Sequence, residues 1–121
     1  MKKIHTKEAI KQRGEIFTPP FLVKQMLDKL PPELFEDKDT TFLDNSCGDG
    51  AFLVEVMSRK RKHMSHFDAI RGIFGVELDE NNCNDCRNRL IDGSQNVELI
   101  NKVIKNIQVG DALTFDYDKF E

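Results

Sequence analysis

The sequence predicts an α/β fold, a parallel sheet with flanking helices behind a helical lead-in. Three observations carry this reading. Three short apolar runs, 41–43, 73–78 and 107–109, alternate with stretches of helical periodicity, the pattern of a parallel sheet with crossover helices. The first run ends in a turn with two glycines, Gly48 and Gly50. An acid stands at or just beyond the end of every run: Asp44, Glu77 and Asp111.

The elements follow in order. Residues 6–13 read as a short polar helix, broken by "GEIFTPP" at 14–20. Thr18 is a natural N-cap there, and Pro19 and Pro20 suit the first turn of a helix. Phe21, Leu22, Met26, Leu27 and Leu30 then recur at helical spacing until Pro31-Pro32 stops the helix. Glu33 to Phe35 fits one further turn, and Glu36 to Asp39 a polar connector. Thr41 to Leu43 is the first strand. Ala51, Leu53, Val54 and Met57 form the apolar face of the next helix, which runs into Arg59-Lys60-Arg61-Lys62-His63. "IFGVEL" (73–78) is the best strand, apolar enough to be covered on both faces. Asp79 can cap a helix over Glu80 to Ile91, closed by Gly93. Residues 95–106 form another helix and Ile107 to Val109 the third strand. After "GDAL" (110–113), Phe115, Tyr117 and Phe120 sit in an acidic tail without a strong element.

Size and composition narrow the function. A chain of 121 residues makes one modest unit. We expect a lead-in over 1–40 and an α/β domain over 41–121, folded as one body. The net charge of −3 excludes a chain basic throughout that binds nucleic acid by charge alone. Charge is uneven, however: the first residues and Arg59 to His63 are basic, the tail acidic. The second basic cluster suits either a phosphate-facing patch or a solvated helix end whose cations complement the dipole. Nothing approaches the roughly 20 apolar residues of a membrane span, and no signal peptide is visible, so no membrane partner and a cytoplasmic location are expected. Three cysteines fit a reducing compartment. Cys83-x-x-Cys86 has metal-like spacing, but no second pair accompanies it; two buried thiols are expected rather than zinc. His5, His63 and His66 are scattered in polar stretches. No metal is expected.

In open parallel sheets ligands bind beyond the carboxyl ends of the strands, which selects 44–50, 77–79 and 110–112. A dinucleotide fingerprint would need glycine at 48, 50 and 53, and position 53 is Leu. Asp49 would also repel a pyrophosphate brought onto the loop amides. A ligand with an adenosine, an amine and little negative charge fits better. Glu77 can accept both ribose hydroxyls and Asp111 the adenine amine. Gly48 and Gly50 leave room for a chain of atoms, and Asp44 can meet an ammonium group. S-adenosylmethionine has all of these parts, and its cationic sulfonium suits a carboxylate-lined site.

Four stretches then carry a more specific likeness: "RGEIFTPPFLV" (13–23), "FLDNSCGDGAFL" (42–53), "FGVELDE" (74–80) and "GDAL" (110–113). In order and spacing they resemble the amino-terminal, cofactor-binding part of a DNA adenine methyltransferase of the restriction-modification type. The resemblance covers nearly the whole chain. It implies an incomplete Rossmann-like fold of the S-adenosylmethionine-dependent methyltransferases, supplying parallel strands 3, 2 and 1. By position it implies that Phe17, Thr18 and Pro19 pack on the methionine end of the cofactor. Asp44, Cys47, Gly48 and Gly50 would form the loop beneath it, and Glu77 would hold the ribose. Leu78 and Asp79 would flank the adenine, Asp111 would fix its amine, and Ala112 and Leu113 would lie beside the ring. Asn45 departs from the proline many relatives carry. Each residue also has a plainer role. Phe17 would staple a helix that Thr18 caps, Asp44 would be a helix-entry acid, Asp79 an N-cap and Asp111 a turn former. Glu77 resists such a reading, because a charge ending an apolar strand needs a partner.

The family's catalytic motif, Asn or Asp before Pro-Pro and an aromatic, does not occur in these residues. Both Pro-Pro pairs, at 19–20 and 31–32, precede the glycine loop. We therefore expect no catalytic residue here, and a cofactor-binding part of a larger or split enzyme whose complete form acts on DNA. The first strand would present a free apolar edge to a second polypeptide or a second copy. A non-catalytic interaction module is the alternative. A nicotinamide-nucleotide binder is disfavoured by Leu53 and the acidic loop.

Overall fold

Strand β2 (Ile73–Glu77) is the centre of the sheet, as its unbroken apolar character requires. The computed structural model describes residues 18–121, so the polar helix expected over 6–13 and Phe17 lie outside the described residues. β1 (Phe42–Asp44) and β3 (Ile107–Val109) flank β2, both parallel to it, in the order β1-β2-β3. The register pairs Asp44 with Gly75 on one side and Glu77 with Val109 on the other. This is the order and direction of the Rossmann-like sheet that the sequence predicts.

Helices α1 (Pro20–Leu27), α2 (Ala51–Lys60), α3 (His66–Ile70), α4 (Glu80–Ile91) and α5 (Val97–Asn106) complete the frame. Leu53, Val56 and Met57 of α2, Cys83, Cys86 and Leu90 of α4, and Leu99 and Val103 of α5 bury their side chains against Ile73 and Ile107. Val23 and Leu27 dock α1 on this core. Aromatics from the tail serve Phe74. The Phe120 ring lies 5.0 Å from Phe74 and 5.2 Å from Phe115, which meets Tyr117 edge-on at 5.1 Å. A single 3₁₀ turn, Tyr117–Phe120, holds these rings, and the Tyr117 hydroxyl donates to the Ala112 carbonyl at 2.9 Å. An acidic stretch without strong periodicity is thus ordered by ring packing.

Several local expectations are corrected. Pro19, not Thr18, is the N-cap of α1, and no side chain caps that end. Pro19 is extended, and its carbonyl receives the Leu22 and Val23 amides at 3.1 Å each. α1 buries Val23 and Leu27 while Phe21 is 66% exposed, so only part of its apolar sequence serves this core. β1 begins one residue later than expected and includes Asp44. The buried face of α2 is Phe52, Leu53, Val56, Met57 and Lys60, turned from the expected one. Helix α3 was not foreseen, although Ser65 announces it: its hydroxyl accepts the Asp68 amide at 3.1 Å. Asn96 caps α5 in the same way, and α4 ends on Asp92 and Gly93, both left-handed.

The basic cluster at the end of α2 is solvated in part: Arg61, Lys62 and His63 are exposed, whereas Arg59 is half-buried and Lys60 is drawn into the fold. The Lys60 side chain is buried; its ammonium donates to the Thr40 carbonyl at 2.8 Å and sits 5.6 Å over the Phe42 ring. Burial pulls its pKa below the usual lysine value. Arg59 pairs with Asp28 at 2.9 Å and Glu55 at 3.0 Å, and Arg61 with Asp92 at 3.1 Å. These cations are stitches between elements.

Candidate ligand-binding site at the carboxyl ends of the strands

The register staggers the strand ends. Asp44 stands level with Gly75, so β2 continues two residues beyond it, to Glu77. The loop after β1 fills that gap by following β2. The Cys47 amide donates to the Val76 carbonyl at 3.1 Å, and the Gly48 amide to Glu77 Oε1 at 2.7 Å. Glu77 Oε2 accepts the Asp79 amide at 3.0 Å, and the Glu77 carbonyl accepts the Gly110 amide at 2.9 Å. Glu77 therefore ties together all three segments that the sequence selects. Its side chain is 1% exposed, and its charge is compensated by backbone donors, as an anion in that position requires.

Asp44 is equally buried, at 2%, and its Oδ1 accepts the Ser46 amide at 3.1 Å, which starts the loop's turn. Cys47 is buried beneath. Its thiol pKa is pushed well up, first by a hydrogen bond with Cys86 and then by burial, so it is a packing group rather than a nucleophile. Gly48 and Gly50 have φ of 56° and 96°, the left-handed region where glycine is favoured. Gly50 has a second reason. A Cβ there would lie 2.8 Å from Cys86 Sγ and 3.3 Å from the Cys86 Cα, so α4 occupies the space a side chain would need. The expectation that both glycines leave room for a ligand is thus amended for Gly50, whose missing side chain admits a neighbouring helix.

Beyond β2, Leu78 is 67% exposed, while Asp79 caps α4 by accepting the Asn82 amide at 2.9 Å. Its plain N-cap reading is therefore realised. Beyond β3, Asp111 Oδ1 accepts the Leu113 amide at 2.9 Å, and Leu113 is 93% exposed. Asp111 acts as the turn former. Its exposed carboxylate, the Leu78 and Leu113 side chains and the half-buried Ala112 lie on the two segments that leave adjacent strands β2 and β3. Thr18 is half-buried and Pro19 exposed, both ahead of α1.

Two participants escaped the sequence. Asp49, expected to repel anions, is paired: Arg89 Nη1 lies 3.1 Å from its Oδ2 and donates to its backbone oxygen at 3.1 Å. Cys86 supports Gly50 from the same helix. Only the i, i+3 spacing of Cys86 and Arg89, which places both on one side of α4, hinted at this. Among the described residues no group of three or more His, Cys, Asp or Glu can hold a metal ion, and no helix is long and apolar enough to cross a membrane.

The arrangement is a parallel-sheet end with two sequestered carboxylates, a left-handed glycine loop and exposed aliphatic side chains on the outgoing segments. Comparison with known proteins gives a family: the family model for N-6 DNA methylase matches residues 1–121. No curated protein and no solved structure matches the chain.

Proposed function

The chain belongs to the N-6 DNA methylase family, and on that premise we propose that it supplies the S-adenosylmethionine-binding portion of a site-specific DNA adenine methyltransferase. The observation that carries this reading is the Glu77 carboxylate, buried at the end of β2 and bonded to the amides of Gly48 and Asp79. In the pattern of the family, the carboxylate that ends this strand receives the diol of a ribose, and Glu77 is the residue at that place. Asp44, on the loop side, balances an ammonium, and Asp111 receives the adenine amine between the aliphatic walls of Leu78, Ala112 and Leu113. Asp79 keeps the first of these walls in place through its cap. Thr18 and Pro19 belong to the methionine end, as the family resemblance implies for this segment. Gly48 and Gly50 contribute backbone.

When bound, S-adenosylmethionine supplies an electrophilic methyl group on a cationic sulfur, and the complete enzyme delivers it to the adenine amine of DNA. These residues bind and orient the donor. The carboxylates favour a cation over an anionic dinucleotide, and Glu77 holds the ribose in register with the loop. No residue of the chain is assigned to the transfer itself, because the motif that clamps a flipped adenine does not occur here. The reading places the chain in the cytoplasm, where DNA and a reducing thiol pool coexist.

Isothermal titration of the chain with S-adenosylmethionine tests the proposal. We expect saturable heat, and Glu77→Ala should weaken binding at least about tenfold. A folded chain that gives no heat would count against the site, and wild-type affinity in Glu77→Ala would remove the ribose role.

One observation favours a second role. Among the described residues β1 pairs only with β2, and beside it a groove of about 270 Å³ is lined by Met26, Leu27, Leu30, Leu43 and Phe52. A free strand edge beside an apolar groove invites β-addition by a second polypeptide or copy. A tight assembly indifferent to cofactor in size-exclusion light scattering would favour an interaction module over a cofactor-binding part.

A further inference from the structure

One turn bond closes the glycine loop from within, the Gly50 amide to the Cys47 carbonyl at 2.8 Å. Residues 48–50 place left-handed glycines on both sides of Asp49, and glycine adopts such angles without holding to them. The other restraints come from outside the loop. Glu77 receives the Gly48 amide at 2.7 Å, Cys86 packs under Gly50, and Arg89 grips Asp49 twice, at its carboxylate and its backbone oxygen, each at 3.1 Å. Three consecutive residues are thus held from β2 and α4.

These restraints differ in what else they do. Under the proposed function Glu77 also receives the ribose, so its hold on Gly48 shares a carboxylate with the ligand. Cys86 is buried in the core, where it packs under Gly50 and meets the Cys47 thiol. Arg89 is 43% exposed and stands outside every segment assigned to the cofactor, yet it fixes the middle residue of the loop. Both contacts come from one guanidinium nitrogen, Nη1, so a single charged group orients a side chain and a main-chain carbonyl together. We infer that Arg89 is a positioning residue for the site: acting through Asp49, it holds the loop in the shape that receives the amino-acid end of S-adenosylmethionine.

The inference rests on the proposed function, and it has a selective consequence. Loosening the loop penalises a ligand that extends over it and spares one confined to the ribose and adenine segments. Titration of the whole chain, wild type against Arg89→Ala, Arg89→Lys and Asp49→Asn, with S-adenosylmethionine and with adenosine reads this directly. Arg89→Ala should bind S-adenosylmethionine about fivefold more weakly and adenosine within about twofold of wild type, as befits a part-exposed ion pair. Arg89→Lys keeps the charge without the guanidinium and should fall between; Asp49→Asn should follow Arg89→Ala in direction. In the ligand-free protein, amide exchange at Asp49 and Gly50 should quicken in Arg89→Ala. Unchanged exchange with unchanged S-adenosylmethionine affinity overturns the inference, as does an equal loss for both ligands. Failure of the cofactor reading shows separately, as a wild-type chain that binds neither; exchange then decides alone whether Arg89 holds the loop.

Discussion

Gly50 sits under two constraints that act together. Its φ of 96° disfavours any side chain, and the thiol of Cys86 fills the place where one would go. Gly50→Ala should therefore cost about 2–3 kcal/mol, read as a lower urea midpoint with an unchanged slope. A shift within error of wild type would mean that the loop relaxes freely and that α4 does not fix it. The residues of this site were unequally legible in the sequence. Glu77 was readable because a carboxylate closing an apolar strand must find donors, and it finds two amides. Asp79 and Asp111 were readable as acids, but each bonds a nearby backbone amide, which spacing does not separate from a ligand role. Arg89 was hidden, because its partner is forty positions away and only the docking of α4 on the loop joins them.

Helix α4 shows how far pattern carries an element. Its bounds were legible to the residue, since Asp79 marks the start and Gly93 follows the end. α3 was missed because five residues are too short for periodicity to register, although its serine cap was visible. The expected solvation of the α2 terminus holds for Arg61 to His63 but not for Lys60, which falls on the helix's buried stripe; composition does not say which basic residue does so. The buried face of α4 also makes a prediction about pH. Burial raises the Cys83 thiol from its usual 9.0 to about 11. Above pH 9 the unfolded chain releases this proton while the folded one keeps it, so stability falls as pH rises from 9 toward 11. Cys47 acts in the same direction. Cys83→Ala should start less stable yet flatten this alkaline decline by up to about 2 kcal/mol. Parallel slopes for variant and wild type in urea melts across that range would show the thiol has no part in it.

At the scale of the molecule, the alternation of strands and helices announced the sheet and its parallel sense, and the family resemblance its order. What no pattern could supply was the stagger of the strand ends, because register depends on side-chain packing between segments far apart in sequence. The other whole-molecule feature is the side of β1 that has no strand neighbour among the described residues. Leu43 is 46% exposed there, beside the apolar groove. If this side mediates self-association, wild-type mass in light scattering should rise with concentration while Leu43→Lys stays monomeric and equally stable, since a lysine on a strand edge opposes edge pairing. Identical association in both proteins would place the contact elsewhere.

The stagger has a mechanical result. Since the loop after β1 hangs by its amides from β2, one strand sets the spacing between that loop and the segments that follow β2 and β3. They stand like two marks on one ruler, and under the proposed function an elongated guest would be measured against a single strand.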